Sequence, residues 1–455
     1  MKKIITIIYV IGCISVIFSC SDFLDIDVPK DQVDTNVVFN DDKTAVAAMN
    51  SVYIGLLNDG FLGGNINSNI FLMSCYTDEL IVTTSQDLDI KYFYELNIQA
   101  ENIAIRQLWN STYQQIYKVN SILEGLNNAV GVSDEVKEQV RGEALTVRGL
   151  LHFYLTQTFG NVPYVTSIDY NINKRIGKLE SDIIMQNVIN DLLEAEELLK
   201  PLNITSERIK INRNVVEGFL ARMYLYQENW TLAQEYAERL INNPNYQLET
   251  LENTFLKDSR SAIWQLKPLM NGFNTYDAMF HVFSFVPAPF VKLNLELVNA
   301  FELDDQRKLN WIKSVGSSNE NFHAYKYKSV GSTSPSKEYS MILRIEEMYL
   351  IAAEATAELQ NWSISNNYIN NLRQRANLPN VNYQSINEAT NKILQERKVE
   401  FFCELGHRFY DLKRKNHLQD LTANKPNWQP HLNLLPIPQT ELILNPNLLP
   451  QNTGY

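Results

Sequence analysis

The chain has 455 residues and a mass of 52.5 kDa, with 45% hydrophobic and 20% charged residues. That content excludes disorder as the dominant state and is enough to bury a large core. Lys+Arg 40 against Asp+Glu 52 leaves a net charge of −12, which argues against a nucleic-acid partner, and the 4 cysteines are too few for a disulfide scaffold.

Lys2 and Lys3 open the chain, and Ile4 to Phe18 is almost entirely apolar. This reads as a signal peptide over 1–19, since the run is short for a membrane span. Ile17-Phe18-Ser19-Cys20 resembles the lipobox of bacterial lipoproteins. That resemblance implies cleavage before Cys20 and acylation of its thiol and amine. The plainer alternative is an ordinary signal peptide with a chance cysteine. Two or three acyl chains anchor stably where one is marginal. Residues 20–42, acidic at Asp22, Asp25 and Asp27, read as a polar tether ahead of one domain over 43–455. Cys13 leaves with the signal. Cys75 and Cys403 then read as buried small hydrophobes, and nothing in their spacing favours a disulfide between them.

From about Thr44 the chain reads as helices. Val136, Val140, Ala144, Val147, Leu151 and Leu155 form one helical face. Ser133 is placed to cap its start, and Gly160 and Pro163 end it. Ile184, Val188, Leu192, Ala195 and Leu199 make a second face, stopped by Pro201. Val216, Leu220, Met223 and Tyr224 make a third. Leu232, Ala233, Tyr236, Ala237, Leu240 and Ile241 make a fourth, stopped by Pro244. Ala221, Asn229-Trp230 and Ala233 recur at identical spacing as Ala353, Asn361-Trp362 and Ser365. Small residues on both sides of a turn let two helices pack closely, and the pattern partly resembles tetratricopeptide repeats. Unrelated hairpins sharing turn chemistry remain the alternative.

Residues 244–339 have turn residues, strand-like pieces such as Ile263-Trp264-Gln265-Leu266, and no sustained helical period. A long irregular stretch inside a compact domain is often functional. This one is rich in aromatics, among them Phe273, Tyr276, Phe280, Phe283 and Phe285, with polar Asn271, Asn274 and His281 between them.

No phosphate-binding loop, dinucleotide fingerprint, zinc-protease motif or nucleophile elbow occurs, and the 6 histidines make no metal-ligand spacing. No cofactor, metal or catalytic residue is assigned. The densest charged block runs from Gln395 to Leu412 and places Glu396, Glu400 and Glu404 four apart, with Arg397, Arg408 and Asp411 near. Carboxylates on one helical face do not oppose each other across a substrate, as a glycosidase requires, so the block reads as an internal ion-pair network. His407 reads as a structural hydrogen-bonder.

Several ordered blocks then point to a family. They are Cys20-Ser21-Asp22-Phe23-Leu24-Asp25, Thr77-Asp78-Glu79, Trp109-Asn110-Ser111-Thr112-Tyr113 and Gly142 to Gly149. Phe159-Gly160-Asn161-Val162-Pro163, Glu347 to Ala355, Leu372 to Ala376, the Glu396 to Leu412 block, Leu435-Pro436-Ile437-Pro438 and Gln451 to Tyr455 complete the set. Together they resemble the RagB/SusD family of outer-membrane lipoproteins over nearly the whole chain. The resemblance implies a mostly α fold of tetratricopeptide-like helix pairs, with a long loop-rich segment and a few short strands. It implies lipid anchoring at Cys20 on the outer face of the outer membrane, and a SusC-type TonB-dependent transporter as partner. It also implies capture of an oligosaccharide or other nutrient without catalysis. In the starch-binding member, aromatics follow the acidic pair matching Asp78-Glu79; here Leu80-Ile81-Val82-Thr83-Thr84 follow, which disfavours starch. Aromatics reappear at Tyr92-Phe93-Tyr94. The expected ligand contacts are therefore Asp78, Tyr92, Phe273, Tyr276 and Phe283, because aromatic faces stack on sugar rings while amides and acids bond their hydroxyls. The rival readings are a lipid-anchored helical scaffold for other proteins and, less well supported, a glycoside hydrolase.

Overall fold

The computed structural model describes residues 39–58, 60–84, 86, 89–201, 207–317 and 320–455. The signal peptide, Cys20 and most of the tether lie outside the described residues. The end of the tether does not behave as one. Phe39 is buried against α4 (Ile103–Asn127), where a Cβ on Gly125 would collide with its ring, and the first described helix, α1 (Asp42–Asn58), begins at Asp42.

The fold is mostly helical, as the periodicity predicts. The first expected face becomes α5 (Asp134–Phe159), which Gly160 ends with a φ of 75°. Ser133 occupies the cap position, but its side chain does not bond its own helix. Its amide and hydroxyl donate to the Asp42 carboxylate at 2.7 and 3.0 Å, so it fastens α5 to α1 instead. The second face is α7 (Ser181–Leu198), tied to α5 by Arg148, whose guanidinium donates two hydrogen bonds to Asp191 at 2.7 and 2.6 Å. Between them lies the short α6 (Tyr170–Asn173).

The sequence repeat is a structural repeat. α8 (Arg213–Tyr226) and α9 (Trp230–Ile241) form one pair, and α13 (Ile345–Glu358) and α14 (Trp362–Arg375) form the other. Both loops turn on a residue of positive φ, Glu228 at 55° and Gln360 at 60°. In both, the next amide reaches back to the first helix: Asn229 to the Tyr224 carbonyl at 2.9 Å, Asn361 to the Thr356 carbonyl at 2.8 Å. Ser365 sits so close to its partner helix that its hydroxyl donates to the Ala353 carbonyl at 2.5 Å. α9 then lies against α13, and Tyr368 bonds Glu238 across the seam at 2.7 Å.

The irregular stretch contains only short elements. These are β2 (Ala262–Leu266), α10 (Tyr276–His281), β3 (Val291–Leu293), α11 (Leu295–Asn299), α12 (Gln306–Trp311), β4 (Ile312–Ser314) and β5 (Phe322–Ala324). β2 pairs antiparallel with β6 (Ser340–Arg344), and β4 with β5. β3 pairs with a strand far upstream, β1 (Leu80–Val82), in the register Leu80↔Leu293 and Val82↔Val291.

The acidic block closes the core. Glu396 and Glu400 lie on α15 (Ile386–Glu400), but Glu404 does not. The helix stops, and Cys403, Leu405 and Gly406 turn the chain at φ 54°, 46° and 73° before α16 (His407–Arg414). That turn still delivers Glu404 to the same buried cluster. Glu400 accepts from Arg344 at 2.7 Å, Arg375 at 2.6 Å and Arg307 at 3.0 Å. Glu396 accepts from Arg307 at 2.5 Å and Arg373 at 3.1 Å. Glu404 accepts from Arg344 at 2.9 Å and Lys326 at 2.5 Å. All three carboxylates are buried. Burial alone would raise the Glu400 carboxyl; Arg375, Arg344 and Arg307 outweigh it and hold the group well below the usual carboxylate range. His407 lies tilted against Phe401 at 4.7 Å, and burial with the nearby Arg222 and Arg397 keeps its imidazole well below its usual range.

Removing one member of such a set leaves guanidinium charge buried and unmatched. Glu400→Gln is expected to lower unfolding stability by about 3–5 kcal/mol. Chemical denaturation would measure it, and a loss within error would show that the cluster tolerates a missing charge.

Candidate functional site

The β1–β3 ribbon joins the two segments from which ligand contacts are expected. Beyond its register the Asn294 amide bonds the Glu79 carbonyl at 2.9 Å. At the other end, the Thr83 amide bonds the Phe290 carbonyl at 2.9 Å and the Thr83 hydroxyl bonds the Ala288 carbonyl at 2.8 Å. Residues 79–84 and 288–294 thus form one continuous edge.

On the downstream side of this edge stands a string of rings. Phe273 meets Tyr276 at 5.6 Å, Tyr276 stacks with Phe280 at 6.4 Å, and Phe280 meets Phe290 at 5.6 Å. Phe273 and Tyr276 are half-buried, so part of each ring faces solvent. Tyr276 opens α10, capped by the Thr275 hydroxyl, and is therefore on a short helix rather than in a loop as expected. Phe273 is held by Gly272, whose φ is 85° and whose missing Cβ leaves room for the Thr333 carbonyl. Asn274 is buried and used up locally: its amide donates to the Gly331 carbonyl and the Thr333 hydroxyl, and its oxygen accepts from the Lys337 and Glu338 amides. His281 is stacked on Phe71 inside the core at 4.6 Å.

Two expected contacts point elsewhere. Asp78 is 2% exposed, and its oxygens accept from Arg408 at 2.9 and 3.0 Å and from Lys398 at 2.8 Å. Burial would raise its carboxyl, but Arg408 and Lys398 hold it well below the usual range. Asp78 is a clasp between α2 (Asn69–Tyr76), which it follows, and the α15–α16 corner. Phe283 is 6% exposed and lies against His323 of β5 at 5.0 Å. Tyr92 is half-buried on α3 (Asp89–Glu95), which packs on α2 and β1. The most accessible ring of the stretch is outside the expected set of contacts: Phe285, 61% exposed beside exposed Val286.

Sequence reasoning also missed a polar cleft of about 510 Å³, lined by Gly60, Asn67, Arg106, Gln107, Asn110 and Gln114 among others. Arg106, Asn110 and Gln114 recur every four residues along α4 and are exposed. The loop that bounds the cleft also borders Tyr276, since a Cβ on Gly64 would meet the Tyr276 side chain. A polar stripe on a helix is the default for any solvated face, so the sequence carried no distinguishing signal. Cys75 and Cys403 are free and buried, and burial pushes the Cys75 thiol up to about 12. Among the described residues, no group of acidic, His and Cys side chains could hold a metal ion, and no helix is long and apolar enough to cross a membrane.

The comparisons with known proteins agree with this architecture. Residues 303–455 match the model of the SusD family, and residues 22–225 match a SusD-like model described as starch-binding, associating with the outer membrane. The chain belongs to the SusD-like family. Two SusD-like proteins of Formosa agariphila are each 23% identical, one over 100% of both chains and the other over 90% of this chain and 92% of its own. A SusD superfamily crystal structure from Bacteroides vulgatus superposes with a TM-score of 0.80 at 21% identity, covering 92% of this chain and all of the other. Surface glycan-binding protein A of Bacteroides thetaiotaomicron, solved in complex with laminarihexaose, superposes with a TM-score of 0.76 at 18% identity, covering 90% and 99%.

Beneath the ring string this SusD-like chain carries two uncharged-leaning acids. Burial pushes Asp277 of α10 up to about 7, with Glu404 adding to the rise and Lys326 opposing it. Burial likewise pushes Glu79 up to about 7, against the hydrogen bond from Ser74. Because the folded chain keeps these protons where the unfolded chain has released them, both groups make stability fall as pH rises from about 4 through 7. Asp277→Asn should therefore raise stability at pH 8, by roughly 2 kcal/mol, with the gain vanishing near pH 4. Melting curves at the two pH values would decide; a variant destabilised equally at both would show that Asp277 is ionised and paired in the fold.

Proposed function

We propose that the protein is a carbohydrate-binding member of the SusD-like family, which captures an oligosaccharide on the surface formed by Phe273, Tyr276 and the neighbouring residues of the β1–β3 edge. The observation that carries this reading is the pairing of β1 with β3. It joins the two segments, and partly solvent-facing rings stand on the downstream one, while the Gly64 loop brings Tyr276 near the polar cleft; rings beside polar groups bind sugars by stacking and by hydroxyl hydrogen bonds. The glycan complex of the Bacteroides thetaiotaomicron relative supports the ligand class. Tyr92 and Phe285 are the further contacts assigned to this surface, while Phe283 and Asp78 support it from within.

In this reading the mature chain is lipid-anchored through Cys20 on the outer face of the outer membrane and works with a SusC-type TonB-dependent transporter in nutrient uptake. The lipobox-like residues and the match to a model described as associating with the outer membrane support this placement.

Replacing a stacking ring by Ala should weaken glycan binding by about 1–3 kcal/mol, roughly a ten- to hundred-fold loss of affinity. Calorimetry on Phe273→Ala, Tyr276→Ala and Phe285→Ala would read it. Phe285→Ala should leave the melting temperature unchanged, and the two half-buried rings should lower it modestly. Unchanged affinity in all three would place the ligand elsewhere. Cys20→Ala should move the protein from the membrane to the soluble fraction of cells lacking the transporter; persistence with the membrane would sink the anchor assignment.

A further inference from the structure

An adjacent face of α4 carries a second, larger cleft of about 610 Å³. α4 forms one wall, the segment from Pro163 through α6 forms another, and the C-terminal helix α17 (Gln439–Leu444) with the turn after it forms the third. Its floor is aromatic and fixed: Trp109 is buried against Phe159 at 5.1 Å, and Tyr113 packs on Trp109 at 4.9 Å while its hydroxyl donates to the Pro163 carbonyl at 2.9 Å. Its rim is aromatic and exposed: Tyr117 is 51% and Tyr170 74% exposed, with the Lys174 ammonium 5.0 Å from the centre of the Tyr170 ring, which leaves the opposite face of that ring for a ligand. Folding gains little from rings left this far in water, and two of them on one concavity differ from apolar residues scattered singly over a surface.

The cleft also contains polar groups with capacity to spare. Asn173 donates to the Ser167 carbonyl at 2.7 Å, but its side-chain oxygen is buried without a hydrogen-bond partner among the described residues. Glu441 is half-buried in the wall, and burial raises its carboxyl. Asn110 lines this cleft and the polar cleft alike, so the two meet over α4. Concave shape, stacking rings, unfilled acceptors and a volume within the roughly 300–1,000 Å³ range of ligand sites favour a polyhydroxylated ligand over a flat protein contact.

We propose that this cleft is a second oligosaccharide-binding site, in which Tyr117 and Tyr170 stack on sugar rings and Asn110 and Asn173 bond hydroxyls, on a track continuous with the polar cleft. The proposal takes its ligand class from the function proposed above but uses a different surface, so the two fail separately.

The test is calorimetry of the full chain in detergent with laminarihexaose, maltohexaose and cellohexaose, comparing wild type, the double variant Tyr117→Ala/Tyr170→Ala, and Phe273→Ala. The double variant should bind the preferred hexasaccharide about ten-fold or more weakly with an unchanged melting temperature, because both rings are exposed. A double variant that binds as wild type does, while Phe273→Ala weakens binding, would overturn the second site and leave the first standing. Loss in the double variant alone would support the second site and sink the first. Wild type binding none of the three would overturn both. A double variant that keeps its glycan affinity but no longer co-purifies with the transporter would overturn the proposal and assign the cleft to a protein contact.

Discussion

Glu400 receives guanidinium groups from three separate elements: Arg307 of α12, Arg344 at the end of β6 and Arg375 of α14. Buried ions have no water to fall back on, so each position must be matched or the charge stays uncompensated. This requirement fixes the relation between the helix pairs and the irregular stretch directionally, because each hydrogen-bonded ion accepts only a matched geometry. Lys326 extends the constraint. Its ammonium donates to the Glu400 and Phe402 carbonyls at 2.8 Å and to Glu404, and it lies 3.9 Å from the centre of the Phe402 ring. It thus satisfies backbone groups left open where α15 ends. Because Lys326 follows β5, against which Phe283 rests, the aromatic segment inherits its position from the ionic cluster.

Smaller clasps bring the other half of the chain into the same frame. Arg222 of α8 meets Glu347 of α13 in a doubly bonded pair at 2.7 and 2.6 Å. Asp78 is gripped by Arg408 and Lys398. The acid of the Thr77-Asp78-Glu79 block therefore acts through its partners, fixing the strand that follows it.

What the sequence disclosed follows the range of the forces involved. Helical faces and the repeated pair were legible because they depend on residues a few positions apart. The Glu396 and Glu400 spacing was legible for the same reason. Glu404 had the right spacing for the wrong cause, since a turn with three positive-φ residues replaces the expected helix. Ser133 looked like a cap but is drawn to Asp42, and Asp78 looked like a ligand group but is drawn to the α15–α16 corner. Both are decided by partners distant in sequence, on which local pattern is silent. Aromatic content marked the segment that carries the ring string, yet could not separate Phe283, turned inward, from Phe285, turned outward. The larger cleft along α4 escaped notice because its walls assemble from segments hundreds of positions apart, and the polar one because its helix stripe looks like any solvated face.

The C-terminal residues finish structures begun far upstream. The Leu435 amide bonds the Thr158 carbonyl, and Asn452 bonds the Phe159 and Leu435 carbonyls. Tyr76 bonds the Leu432 carbonyl, and Asn69 is held between Leu405 and Tyr410. During synthesis, α2 and α5 therefore emerge long before the partners that complete their burial. Their apolar faces stay uncovered until the final segment arrives, a high-contact-order topology that invites association with other chains. The order of emergence thus sets a demand for shielding during biogenesis, and puts the decisive folding step after the last part of the chain has been delivered.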